Sequence, residues 1–182
     1  SELEHVASDI ELIQKSGLQC NNASINFVAN SALYELPKLG AGILDGVITS
    51  PPYCNRYDYT RTYALELVYL GADENSLKSM RQSLLSCTVE SRSKIDDLRA
   101  FYYSLGLTDR FNYIYNTINK NKAFAEVMGA LTARKVNGDL NNNGVVRMVD
   151  GYFTELAFIY AELYRVCKSG ATVAFVNDNV RY

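Results

Sequence analysis

The chain has 182 residues, 48% hydrophobic and 21% charged, with a formal net charge of −2 at pH 7, which suits a single globular domain with a real core and gives no global sign of nucleic-acid binding. Its longest apolar runs fall short of a membrane span, and the opening SELEHVASDIELIQ carries acids where a secretion signal needs basic residues, so a cytoplasmic protein with no membrane segment is expected. Cys20, Cys54, Cys87 and Cys167 form no CxxC pair and His5 is the single histidine, which argues against a metal site, a disulfide framework and a histidine-dependent triad.

Residues 1–18 predict a short helix with Leu3, Val6, Ile10 and Ile13 at near-helical spacing, closed by Gly17. Residues 20–22 form a turn, and 23–29 (ASINFVA) alternates as a strand with Ile25, Phe27 and Ala29 on one face. Asn30-Ser31 ends that strand and opens a helical turn over 33–39, either as a cap or as part of a site. Gly42 and Gly46 punctuate the approach to a short buried strand at Leu44, Val47 and Ile48. Pro51 and Pro52 then stop it. Neither proline donates a ladder hydrogen bond, and the residue before each is pushed toward extended geometry. The chain leaves the sheet stiff, with carbonyls exposed, at the end of a strand where open α/β sheets place their ligands.

In 55–67 (NRYDYTRTYALEL), Arg56 and Arg61 flank Tyr57 and Tyr59. Residues before Tyr63 are expected to face the cleft and 64–70 to form a buried helix. The stretch 71–143 lacks strand signals and predicts helices around 76–84, 95–105, 110–118 and 123–136. Arg92, Lys94, Lys120, Lys122, Arg134 and Lys135 are placed in the loops between them and read as solvated charges; Phe101, Tyr102, Tyr103, Phe111, Tyr113 and Tyr115 read as core. So long a connection exceeds an ordinary crossover and predicts an inserted helical region. After the break at 141–144 (NNNG), a long helix is expected over 145–167, with Met148, Tyr152, Phe153, Leu156, Ile159, Tyr160, Leu163 and Val166 as its apolar stripe and Gly170 as its terminator. A buried strand follows at 171–176 (ATVAFV). Asn177-Asp178-Asn179 would lie at the same sheet edge as the two prolines if the strands run parallel, as pocket residues or as a polar turn.

The sequence Ser50-Pro51-Pro52-Tyr53 after an apolar strand, continued by NRYDYTRTYALEL and later by ELYRVCKSGATVAFV at 162–176, resembles the amino-methylating DNA methyltransferases. In that family the SPPY spelling is most often associated with cytosine N4 and related spellings with adenine N6. The resemblance implies an α/β fold: a partial Rossmann-like methyltransferase sheet carrying a helical insert at about 72–143, with 1–182 as one partial catalytic domain. It also implies S-adenosylmethionine as cofactor, double-stranded DNA as partner and a restriction-modification setting. Ser50, Pro51, Pro52 and Tyr53 would be catalytic: a fixed hydroxyl and a Pro51-Pro52 carbonyl hold the hydrogens of a weakly nucleophilic exocyclic amine, and Tyr53 stacks on a base swung out of the duplex. Asn30, Ser31, Thr49 and Asp178 would contact the cofactor, and Arg56, Tyr57 and Arg61 the nucleic acid. Cys54 is set aside as the attacking thiol of C5 methylation, because that thiol directly follows a proline and here Tyr53 intervenes.

The chain departs from the family pattern in three places. Asn30-Ser31 stands where a Gly-Asp pair is common, Cys167 and Ser169 modify the usual "RVLKPGG", and a glycine-rich cofactor loop of the "FxGxG" type is missing. The chain is therefore expected to be the catalytic part of a longer methyltransferase whose cofactor half lies outside it or on another chain. Two alternatives stand beside this. One keeps the chemistry but acts on RNA or on a protein glutamine; the other is a catalytically incomplete fragment that binds nucleic acid or a partner.

Overall fold

The structure, a computed structural model, describes residues 2–17, 24–54 and 58–176. The described elements are α1 (Glu2–Lys15), α2 (Ala32–Glu35) running into a 3-10 turn (Leu36–Lys38), β1 (Leu44–Thr49), α3 (Tyr59–Thr62), α4 (Ala64–Tyr69), α5 (Glu74–Ser83), α6 (Ile95–Ser104), α7 (Thr108–Asn119), α8 (Lys122–Val136), α9 (Gly144–Val166) and β2 (Cys167–Phe175). The two strands pair in parallel, from Gly46 opposite Thr172 to Thr49 opposite Phe175, so the described residues form a mixed helix-and-strand unit around a small parallel sheet.

Glycine eases this pairing. A Cβ at Gly46 would lie 3.1 Å from the Thr172 carbonyl oxygen, a tight contact that would push the strands slightly apart. Between Leu44–Cys167 and Gly46–Thr172 the register jumps. The extra residues of β2 bulge outward through Gly170, whose φ of 81° favours glycine. Lys168 spans the bulge to Asp45 at 2.7 Å.

α9 is the spine. Its inner face buries Met148, Val149, Tyr152, Leu156, Phe158, Leu163 and Val166, the repeat a helix needs to face a core. Phe158 joins Leu33, Leu98, Tyr102, Phe111 and Ile114 in the main cluster, where Tyr102 meets Phe158 edge-on at 5.5 Å and Phe111 at 5.9 Å. The C-terminal end of α9 also sets the entry to β1. The backbone N–H groups of Gly42 and Ile43 donate to the Arg165 and Val166 carbonyls at 3.0 and 2.7 Å, and the Arg165 guanidinium donates to the Leu39 and Leu36 carbonyls at 2.7 and 2.9 Å.

Buried polar groups tie the loop between α5 and α6 to α9. The Ser86 backbone N–H donates to Glu155 at 2.9 Å, the Ser86 hydroxyl donates to the same carboxylate, and Lys94 Nζ pairs with it at 3.1 Å. Burial pushes the Glu155 carboxyl above its usual range, and Lys94 pulls the other way. Arg147 donates to the Ser91 and Val89 carbonyls at 3.1 and 2.8 Å. Farther along α9, Glu162 accepts from the Tyr102 hydroxyl at 3.0 Å and from Arg165 at 2.6 Å.

Several sequence expectations are corrected. Residues 24–29 form no strand, and Ile25, Phe27 and Val28 are 94, 86 and 54% exposed; an alternating pattern needs a neighbouring strand, and among the described residues β1 and β2 pair only with each other. α4 forms as expected but is not buried, with Leu65, Tyr69 and Leu70 exposed. The stripe of α1 is likewise exposed at Leu3, Val6, Ile10 and Ile13. α9 spans Gly144–Val166, within one residue of the expected range, whereas β1 and β2 are largely exposed rather than buried, with Ile48 87% exposed. Tyr103 and Tyr113 are exposed although their aromatic neighbours are core. Lys94 is buried rather than solvated, while Lys122, Arg134 and Lys135 belong to α8 rather than to loops.

Candidate active site

β1 delivers Thr49 and the Ser50-Pro51-Pro52-Tyr53 segment to the carboxyl end of the parallel pair, where the Thr49 carbonyl accepts from the Val176 N–H at 2.9 Å. A cavity of about 510 Å³ opens there. Its walls include Asn30, Ser31, Thr49, Ser50, Pro51 and Pro52, with Leu33 and Leu36, Leu84 and Leu85, Phe175, and Leu156, Ile159 and Leu163 of α9. The volume lies within the range of small-molecule sites, and a mostly apolar wall with a few convergent polar groups is their usual character.

Each polar group is placed by its own neighbours. Ser31 is the N-cap of α2 and its backbone N–H donates to the Asn30 side-chain oxygen at 2.8 Å, but the Ser31 side chain makes no capping bond. The Asn30 amide donates to Glu35, whose carboxyl is held below its usual range first by Lys38 and then by Asn30. Ser50 is exposed, and Pro51, Pro52 and Tyr53 are half-buried. The Pro52 carbonyl accepts a hydrogen bond from the Tyr152 hydroxyl at 2.8 Å. Tyr53 is not among the residues lining the cavity.

Cys54 packs beside Cys87, Tyr152 and Leu156. Burial pushes its thiol up to about 11, so it carries almost no thiolate near neutral pH, in keeping with its exclusion as a nucleophile.

The basic flank is arranged differently from the cleft-facing run expected from sequence. Thr60 is buried, and Arg81 donates to its hydroxyl at 2.9 Å while pairing with Asp58 at 2.8 Å. Arg61 has an exposed side chain that pairs with Asp58 at 3.3 Å and Glu90 at 3.0 Å. Arg56, Tyr57 and Asp178 lie outside the described residues.

The structure thus brings Asn30, Ser31, Thr49, Ser50, Pro51 and Pro52 to one cavity and leaves Arg61 apart from its lining. Sequence reasoning missed the wall from the α5–α6 loop, which has no periodic pattern, and the bond from Tyr152. The second had a readable signal: a tyrosine inside an apolar helical stripe needs a partner for its hydroxyl. Among the described residues no cluster of three or more His, Cys, Asp or Glu is placed to hold a metal ion, and no helix is long and apolar enough to cross a membrane.

With the Ser50-Pro51-Pro52-Tyr53 segment at the carboxyl end of a parallel strand, and its first three residues lining a ligand-sized cavity, the chain belongs to a family of type II DNA methyltransferases. It is 53% identical over 177 residues to Type II methyltransferase M.BsoBI of Geobacillus stearothermophilus, covering 97% of this chain and 35% of that protein. It is 41% identical over 169 residues to Type II methyltransferase M.AvaI of Nostoc sp. strain PCC 7120 and to that of Anabaena variabilis, covering 93% of this chain and 31% of each relative. The chain therefore spans about a third of the length of these curated relatives. No family model matches the chain. No solved structure matches it either.

Proposed function

We propose that this chain is the catalytic part of a site-specific DNA methyltransferase that methylates the exocyclic amine of a flipped base, cytosine N4 ahead of adenine N6, with S-adenosylmethionine as donor. The carrying observation is the convergence of Ser50, Pro51 and Pro52 with Asn30, Ser31 and Thr49 around one cavity. In this reading 1–182 is one partial catalytic domain of a Rossmann-like fold, and 72–143 is a helical insert within it.

The cavity walls fit the flat, neutral parts of such a donor. Leucine and isoleucine side chains supply an apolar slot, and Asn30, Ser31 and Thr49 supply hydrogen-bonding groups at its edge. Among the described residues no Asp, Glu, Lys or Arg lines those walls, so the charged amino-acid end of the donor would be held by other groups, with Asp178 a candidate. When bound, S-adenosylmethionine supplies an electrophilic methyl group. The chain's own part is to hold the amine. The Ser50 hydroxyl oxygen and one carbonyl of the Pro51-Pro52 segment accept the two amine hydrogens, which localises the nitrogen lone pair and aims it. The residues act by position and dipole, without a covalent intermediate. Tyr53 stacks on the extruded base. Arg56, Tyr57 and Arg61 contact DNA; for Arg61 this requires exchanging its Asp58 and Glu90 partners for phosphate.

The reading is tested by Ser50→Ala in the methyltransferase that carries this chain. Methylation of duplex DNA should fall below detection while the circular dichroism spectrum stays unchanged. Full activity in this variant would remove Ser50 from the site.

A second reading has its own support. The chain spans about a third of its relatives and carries Asn30-Ser31 where the family commonly has a carboxylate, as expected of a portion that needs the remaining polypeptide, or a separate cofactor-binding half, before it turns over.

A further inference from the structure

The bond between Tyr152 and Pro52 joins the middle of α9 to the catalytic segment, 100 residues away in sequence. Tyr152 is only 6% exposed, and its ring packs with Cys87 and Leu156. Such a side chain has its ring direction set by the helix and its neighbours, so the hydroxyl is a fixed point.

Proline fixes φ of residue 52, and the remaining freedom of the segment is rotation of its peptide planes. A directional hydrogen bond to the Pro52 carbonyl removes that freedom. The Tyr152 bond therefore fixes the Pro52 carbonyl on α9 and occupies it as an acceptor. Among the described residues no donor is paired with the Pro51 carbonyl or with the Ser50 hydroxyl, so both remain available as acceptors. Cys54, packed on the same cluster as Tyr152, pins the backbone on the far side of Tyr53. The motif is thus held at residues 52 and 54, bracketing the residue proposed to stack on the base.

We infer that Tyr152 is a positioning residue: its hydroxyl locks the Pro52 peptide and thereby selects the Pro51 carbonyl, together with Ser50, as the acceptors of the substrate amine. Burial pushes the Tyr152 hydroxyl up to about 12, so it remains a donor throughout the neutral range. The inference rests on the amine-methylating function proposed above.

The test compares Tyr152→Phe and Tyr152→Leu with Ser50→Ala in the methyltransferase that carries this chain, using a short duplex substrate and S-adenosylmethionine with a labelled methyl group. Phenylalanine keeps the ring and removes only the hydroxyl. A positioning role predicts a fall in kcat of about tenfold to a hundredfold for Tyr152→Phe, the cost expected of small misplacements of catalytic groups. KM for both substrates and the unfolding temperature should stay close to wild type, and Tyr152→Leu should lose at least as much kcat. If Tyr152→Phe keeps wild-type kcat and only Tyr152→Leu suffers, the ring matters for packing alone and the inference is overturned, while an inactive Ser50→Ala leaves the methyltransferase reading standing. A loss in Tyr152→Phe that tracks a drop in unfolding temperature or in donor binding also overturns it, because the bond would then serve stability. An active Ser50→Ala variant would instead sink the functional reading on which the inference rests.

Discussion

Cys54 directly follows the Ser50-Pro51-Pro52-Tyr53 segment, in the position most easily mistaken for a nucleophile. Its thiol is pushed up to about 11, first by burial and then by the neighbouring Cys87. A raised thiol value means that the thiolate forms only as pH climbs toward that value, so at pH 8 on the order of one molecule in a thousand carries it. Peptide-resolved alkylation with iodoacetamide should find Cys54 at least about a hundredfold slower than a free cysteine at pH 8, with a rate that rises about tenfold per pH unit. Cys54→Ser should keep most of the methylation activity, since the proposed mechanism asks nothing of the thiol. Rapid labelling together with loss of activity in the serine variant would revive covalent chemistry. The same residues illustrate what a sequence can say at this scale. The two prolines dictate stiffness and missing donors wherever they occur, so the exit from β1 could be read directly. Tyr152 could not, because its role depends on which carbonyl lies opposite its hydroxyl, and that is decided by the approach of α9 to residues 50–54. Lys94 was misread for a related reason: a lysine in a loop is ordinarily solvated, and only Glu155, 61 residues away, makes its burial tolerable.

Helices were the most legible elements. Helix-forming composition without strand signals anticipated α5 through α8, and a continuous apolar stripe anticipated α9, with small boundary differences. The α5–α6 loop was illegible, since its conformation is set by side chains of α9 rather than by its own pattern. Gly151 is the position at which the two meet. A Cβ there would lie 3.2 Å from the Ser86 Cβ and 3.3 Å from its Oγ, and Ser86 is held by Glu155 and Lys94. Alanine ordinarily stabilises a helix interior by about 1 kcal/mol relative to glycine. At Gly129 in α8, where a Cβ meets nothing within 4 Å, that gain should be realised and Gly129→Ala should raise the unfolding temperature. At Gly151 the crowding against an immobilised serine should win, so Gly151→Ala should lower it and loosen the loop that carries Leu84 and Leu85 to the cavity. Thermal unfolding of the two variants side by side decides this. A rise in both would mean that Ser86 yields, and that the loop is less firmly anchored than its buried bonds indicate.

At the scale of the molecule, the feature that sequence patterning could not settle is which apolar faces meet partners. The alternation at 24–29 and the stripes of α1 and α4 are genuine patterns, yet Phe27 is 86% exposed, Ile48 at the centre of β1 87%, Leu65 85% and Leu70 80%. A water-facing load of this size is uncommon on a self-contained domain and marks surfaces meant for contact. The chain spans about a third of its relatives, and on the proposed function the remaining polypeptide would cover these faces and join Asp178 in holding the charged end of the donor. Two measurements on the 182-residue chain follow. A dye that fluoresces on exposed apolar surface should bind it strongly while far-UV circular dichroism shows its helices formed. Calorimetric titration with S-adenosylmethionine, with and without short duplex DNA, should give no binding in the micromolar range, whereas the longer protein should bind. Clear binding by the 182-residue chain would mean that the cavity beside Ser50 is sufficient for the donor. The leucine and isoleucine walls, with Asn30, Ser31, Thr49 and Asp178, would then have to hold the donor, and the covering role proposed for the remaining polypeptide would be reduced to shielding apolar surface.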